Sequence, residues 1–247
     1  MKKIGIIRPC KIGDLIISLP IGKYYFDKGY EVYWPIMSNY YKMFNEAAGH
    51  YIKFIPITSS PFFVINSAKQ ELIDRKITNV LNLTFNIGIV GDPNTIEFSA
   101  SNLSFDQFIY KLAGVPIDEK YNLEIKRNKD EEDKLYKNLI KSEKYSVCHF
   151  EVSYNKYGWQ SGKQTIDEYF NLCKDKIKNK TIEITADQKA ESVFYWLKIL
   201  ENADQLFLVD SCIANLTEVM NMKNEKYFLL RSNKKETPLL KSNWIII

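Results

Sequence analysis

The sequence is poor in the residues that build metal and redox centres. It has two histidines in 247 residues, and its four cysteines (Cys10, Cys148, Cys173 and Cys212) lie far apart with no CxxC pair. Zinc sites of Cys/His spacing and a disulfide framework are thereby excluded, and reduced thiols in a cytoplasmic protein are the expectation. Long hydrophobic runs are also missing. IGII near the start and LIISLPIG after Asp14 fall well short of the roughly 20 apolar residues that span a bilayer. Arg8, Lys11 and Asp14 interrupt the continuous apolar region of a signal peptide. Charge of one sign is scarce: 34 Lys+Arg against 30 Asp+Glu leaves +4. So small an excess, with no basic run, argues against a nucleic-acid partner. A peripheral membrane-surface contact would have to rest on basic and aromatic patches. The 10 glycines form no GxGxxG, so the dinucleotide fingerprint is absent. There is no DxD metal motif, and no glycosidase-like spacing of paired carboxylates.

What is present is an ordinary globular composition, 45% hydrophobic and 26% charged, with aromatics at 14%. That length buries a core without staples and suits one large domain or two small ones. Strand and helix patterns alternate along the chain. Lys3–Ile7 reads as a buried strand. Leu15 to Tyr24 reads as a helix with Pro20 a kink or boundary, closed by Lys28-Gly29. Glu31–Trp34 is the next strand. Helices follow over Tyr40–Ala48, Ser67–Arg75 and Phe105–Ala113, with strands at Tyr51–Ile57 and Asn79–Leu83. The charged segment Lys126–Lys144 reads as a linker running into a solvated helix, which puts a domain boundary near 125–145. The alternation then restarts. Strands are expected at Tyr145–Phe150, Lys180–Thr185, Leu206–Val209 and, last, Tyr227–Leu230. Helices are expected at Thr165–Lys178 (with Thr165 and Glu168 as a capping box), at Ala190–Leu200, and from Asp210-Ser211 through Met220. The expected fold is α/β, with two compact Rossmann-like domains, 1–128 and 129–247, whose parallel sheets face a cleft.

Ligands of open α/β sheets bind beyond the carboxyl ends of the strands. The loop Arg8-Pro9-Cys10-Lys11-Ile12-Gly13-Asp14 occupies that place after the first strand. Gly13 would permit an unusual φ or a close backbone approach. Asp14 reads either as a plain helix N-cap or as a carboxylate able to take a proton from an acceptor hydroxyl.

Arg8 followed by Gly13-Asp14-Leu15 and Leu19-Pro20 resembles the opening of glycosyltransferase family 9, the ADP-heptose:lipopolysaccharide heptosyltransferases. Glu31–Trp34, Val80–Leu83 and the Phe105–Pro116 helix and turn resemble further family segments. Val209-Asp210-Ser211-Cys212-Ile213-Ala214-Asn215-Leu216 looks like the family's D-S-G-x-x-H-L segment. Cys212 stands where the family has Gly, and Asn215 where it has His; Asn can neither titrate nor carry positive charge. The resemblance implies a GT-B fold, Asp14 as catalytic base with Lys11 and Gly13 beside it on the acceptor side, and a donor site in the second domain. That donor site would draw on His149 and Glu151, on Lys163 (with Lys156 its competitor) for the diphosphate, on Asp187 and Glu191 for ribose, and on Asp210, Ser211, Cys212 and Asn215. Each has a bland counterpart: a cap, a core histidine, a solvated lysine. Tyr157 and Trp159 would stack on substrate or simply pack.

The implied activity is inverting, metal-independent transfer of a sugar from a nucleotide-diphosphate sugar to a glycan or glycolipid hydroxyl. No cofactor is required, because the nucleotide sugar is itself a substrate. The competing readings are a non-catalytic carbohydrate- or nucleotide-sugar-binding protein and a nucleotide-sugar epimerase. The stop at Trp244–Ile247 implies that the family's terminal helices, which return across the first domain, are reduced here.

Overall fold

The structure is a computed structural model. It describes the chain except residues 1, 10, 61–62, 86–91, 152–165, 186–189, 231–236 and 242. The described residues divide into two compact units, Met1–Lys126 and Arg127–Ile247.

In the first unit β1 (Lys2–Ile7), α1 (Ile12–Asp27), β2 (Tyr30–Met37), α2 (Ser38–Ala48), β3 (Ile52–Ile57), α3 (Val64–Asp74) and β4 (Val80–Asn82) alternate. Helices α4 (Pro93–Ala100) and α5 (Phe105–Ala113) follow. The sheet order is β3-β2-β1-β4 and every pairing is parallel. All four carboxyl ends therefore lie at one edge. Ile4, Ile6 and Ile7 of β1 are buried, as a central strand covered on both faces requires. Gly5 lets α3 close on the sheet: a Cβ there would meet Leu72 Cδ1 at 2.7 Å.

Pro20 does not end α1, which runs through it to Asp27. An interior proline costs about 3 kcal/mol, and burial of Leu15, Ile16, Leu19 and Ile21 on the sheet outweighs that cost. Gly29, at φ +81°, closes the helix end where the sequence places the stop.

The second unit runs α6 (Lys129–Leu139), β5 (Tyr145–His149), α7 (Ile166–Cys173), β6 (Lys180–Glu183), α8 (Leu197–Asn202), β7 (Gln205–Val209), α9 (Cys212–Val219), β8 (Glu225–Leu229) and β9 (Trp244–Ile246). Its sheet order is β6-β5-β7-β8-β9, again parallel throughout. Its core joins Cys148, Phe150, Tyr169, Phe207, Val209, Tyr227 and Leu229, with the Phe207 and Tyr227 rings stacked at 4.5 Å.

Two expectations are corrected here and a third is sharpened. The charged stretch after Lys126 does run from an irregular segment into a largely exposed helix, α6, but some of its charges are paired. Glu132 on α6 is buried and paired with Arg127, which also binds Glu201 at 2.7 Å, while Lys198 holds Asp133 at 2.5 Å. Glu132 and Asp133 are thus neutralised by Arg127 at the unit's start and by Lys198 on α8, while Lys129 and Lys134 stay exposed. The Ala190–Leu200 helix begins later and tighter, as a 3-10 turn at Val193–Trp196 capped by the Ser192 hydroxyl, before α8. Tyr227–Leu230 is not the last strand, because Trp244–Ile246 pairs in parallel with Lys226–Phe228. The Thr165 capping position lies outside the described residues.

Candidate functional site

At the carboxyl edge of the first sheet the chain leaves β1 through Arg8 and Pro9. Helix α1 begins at Ile12 with Lys11 in the cap position at φ 68° and ψ 111°. The unusual φ therefore falls on Lys11 and not on Gly13, which sits in the first helical turn. A non-glycine residue in such a sparsely populated region costs about 1–3 kcal/mol. Asp14 is the third helical residue, so it is not the N-cap, and the cap residue Lys11 makes no side-chain cap hydrogen bond. Its Oδ2 instead meets a terminal guanidinium nitrogen of Arg8 at 2.8 Å. The Asp14 side chain remains 24% exposed and that of Arg8 only 6%. Beyond the pair, Thr84 donates through its N–H and hydroxyl to Asn82 Oδ1, and Asn94 donates to the carbonyls of Asn82 and Thr84. Asn82 ends β4, the strand beside β1, and Thr84 and Asn94 follow it.

At the carboxyl edge of the second sheet, β5 pairs with β7 with His149 opposite Leu208. His149 ends β5 and Asp210 directly follows the neighbouring β7, so both stand at the same edge. His149 is buried and its Nδ1–H donates to the Ile184 carbonyl at 2.7 Å. Burial holds its pKa below the ordinary 6.5, so at neutral pH the imidazole is uncharged and its Nε2 is an acceptor. Ser211 caps α9, its hydroxyl accepting from the Ala214 N–H at 3.4 Å. Asp210 and Asn215 are buried, and Cys212, in the first helical position, is half-buried. Burial pushes the Cys212 thiol up to about 11. The helix N-terminus does not win this contest, and the thiol stays protonated at neutral pH. Glu151 is half-buried just beyond β5, and Glu191 is exposed before the 3-10 turn.

The structure thus groups Lys11, Gly13 and Asp14 at one edge in the first unit. It groups His149, Glu151, Asp210, Ser211, Cys212 and Asn215 around one edge in the second. Lys163, Lys156, Tyr157, Trp159 and Asp187 lie outside the described residues. Sequence reasoning used Arg8 only as part of a motif. The signal for more was available: an arginine directly after a run of buried isoleucines needs a partner. Phe85 and Phe105, which flank its guanidinium, carried no such signal. Among the described residues, no three His, Cys, Asp or Glu side chains gather as a metal site, and no helix is long and apolar enough to cross a membrane.

No protein-family model and no curated protein matches this sequence. Solved structures do match. One is a glycosyl transferase family 9 protein of Veillonella parvula, 12% identical, covering 100% of this chain and 86% of that one, with a TM-score of 0.64. A second is the E. coli heptosyltransferase WaaC with ADP, 12% identical, covering 99% and 92%, TM-score 0.53. A third is TibC of E. coli, described as a dodecameric iron-containing heptosyltransferase in complex with ADP-D-beta-D-heptose. It is 11% identical over 99% of this chain and 62% of that one, TM-score 0.57. This chain shares the α/β, parallel-sheet fold of these family 9 glycosyltransferase structures.

Proposed function

We propose that this protein is a glycosyltransferase that moves a sugar from a nucleoside-diphosphate sugar to a hydroxyl of a glycan or glycolipid. The observation that carries this reading is the partly exposed Asp14 carboxylate, held by a buried arginine at the carboxyl edge of a sheet with the family 9 fold. In the proposed reaction the acceptor oxygen attacks the anomeric carbon from the face opposite the diphosphate. The acceptor proton passes to Asp14, the bond from the anomeric carbon to the diphosphate oxygen breaks, and the nucleoside diphosphate leaves with its electron pair. The product is inverted, and no step requires a metal.

The second unit is proposed as the donor side. The N-terminus of α9 offers unpaired N–H groups and the positive end of the helix dipole to the diphosphate. Neutral His149 offers an acceptor to a sugar or ribose hydroxyl. Lys163 is the proposed cation for the leaving group. An ADP-sugar is the first donor to try, since two of the similar structures hold ADP or ADP-heptose. The free thiols of Cys148, Cys173 and Cys212 fit a reducing compartment.

The test is ADP release from ADP-heptose, with water or an added glycan as acceptor, beside the thermal shift that donor binding produces. Asp14→Asn should lower turnover by about 10²–10⁴-fold and leave the donor-induced shift intact. Unchanged turnover would remove Asp14 from the base role. A second reading, a binding protein without turnover, is favoured by Cys212 and Asn215 standing where the family pattern has Gly and His. A donor-induced shift with no release from any nucleotide sugar would establish it.

A further inference from the structure

Arg8 is 5% exposed, and a guanidinium cannot shed its proton to ease burial. Its surroundings hold it from several directions. One terminal nitrogen donates to the Leu83 carbonyl and the other meets Asp14 Oδ2 at 2.8 Å. The Phe105 and Phe85 rings lie 5.0 and 5.8 Å from its central carbon, within cation–π range. Its own carbonyl accepts from Trp34 Nε1 at 3.1 Å. The neighbouring main chain is tied on both sides, Leu83 N–H to Ile7 and Met37 N–H to Pro9. Arg8 is therefore locked in place by β2, β4 and the residues after β4. Asp14 is not. Its carboxylate has one polar contact among the described residues, the one to Arg8. An unheld aspartate samples three χ1 wells.

We propose that Arg8 is the positioning residue for Asp14: it fixes Oδ2 and so aims the other carboxylate oxygen at the acceptor hydroxyl. This rests on the reading of Asp14 as base. Arg8 need not touch the substrate, and its contribution is the orientation of a group that does.

The experiment measures ADP release from ADP-heptose in the full chain. Arg8→Lys keeps the charge and loses the planar fork. It should lower kcat about tenfold while donor KM and the donor-induced thermal shift stay unchanged. In the Asp14→Asn background the same substitution should leave the residual rate where it is, because residues acting as a unit are not additive. Phe105→Leu, which removes a ring from the guanidinium face and keeps the ion pair, should lower kcat about threefold. That variant also stands in if Arg8→Lys does not fold.

Wild-type kcat in both variants overturns the proposal, as does a fall in kcat matched by an equal rise in donor KM. Equal factors in the wild-type and Asp14→Asn backgrounds overturn it as well, since they mark a merely structural role. The base reading fails separately: if Asp14→Asn turns over normally, Asp14 is not the base and the positioning role of Arg8 falls with it. If Asp14→Asn is crippled and the Arg8 and Phe105 variants are not, the positioning role alone is overturned.

Discussion

Lys120 Nζ and Asp106 Oδ2 form an ion pair of 2.7 Å in which both side chains are 0% exposed. The pair joins α5 to the short 3-10 turn Ile117–Tyr121, and Asp106 also accepts from the Ser104 hydroxyl and the Gln107 N–H. Helix α5 in turn contributes the Tyr110 hydroxyl to the Ile17 carbonyl, which ties the layer to α1 and so to the segment that carries Asp14.

Lys120→Met should cost about 3–5 kcal/mol, because it leaves the Asp106 carboxylate buried without its cation. Replacing both partners, as Lys120→Met with Asp106→Asn, should cost less than the single change, since no uncompensated charge remains. Urea unfolding of the two variants checks the order. A double variant less stable than the single would show that Lys120 matters for its packing and not for the charge.

Glu218 on α9 accepts from the Lys241 N–H and from Trp244 Nε1, each at 2.6 Å, and Lys226 Nζ lies 5.0 Å over the Trp244 ring. One buried carboxylate thus anchors the segment that brings β9 to the sheet. Glu218→Ala should cost about 1–3 kcal/mol from two donors left unsatisfied, with a red shift of tryptophan emission as Trp244 meets water. Burial already holds the Lys226 pKa below its ordinary value, against the pull of Glu218, so the change should also favour the neutral amine. Wild-type stability in Glu218→Ala would show that β9 is held by strand pairing alone.

Much of the alternation was legible because parallel strands buried on both faces read as apolar runs: Lys3–Ile7 became β1 and Leu206–Val209 became β7. Gly29 and Gly114, both at positive φ, marked helix ends where the sequence put them. The failures have common physical causes. Of the two readings of Pro20, kink or boundary, the boundary fails, because local propensity cannot see the burial of Leu15, Ile16, Leu19 and Ile21. Trp244–Ile246 was passed over because a three-residue strand has no periodicity to detect, and what stabilises it lies 26 residues away at Glu218. At the site, Asp14 was found through a motif, but its partner was not. The approach of Phe105 to Arg8 is a contact between segments far apart in the chain, and nothing in the local pattern encodes it.

His149 makes the stability of the fold depend on pH. Its imidazole is buried, donates to the Ile184 carbonyl, and has Glu151 as its nearby acidic group. Desolvation lowers its pKa below 6.5, and the Ile184 bond and Glu151 only partly oppose this. Between the lowered folded value and 6.5 the unfolded chain binds the proton and the folded chain does not. Stability should therefore rise with pH across that window, reach its full value above 6.5, and fall as the solution is acidified. His149→Gln keeps a hydrogen-bond donor for Ile184 and cannot titrate, so its stability should be flatter with pH over the same window. Unfolding midpoints at a series of pH values compare the two proteins. If wild type and His149→Gln show the same slope below pH 6.5, the histidine takes up its proton as readily in the folded chain as in the unfolded one. In that case it would carry a positive charge at the β5 edge below pH 6.5, and it could accept a hydrogen bond from a donor-sugar hydroxyl only above that pH.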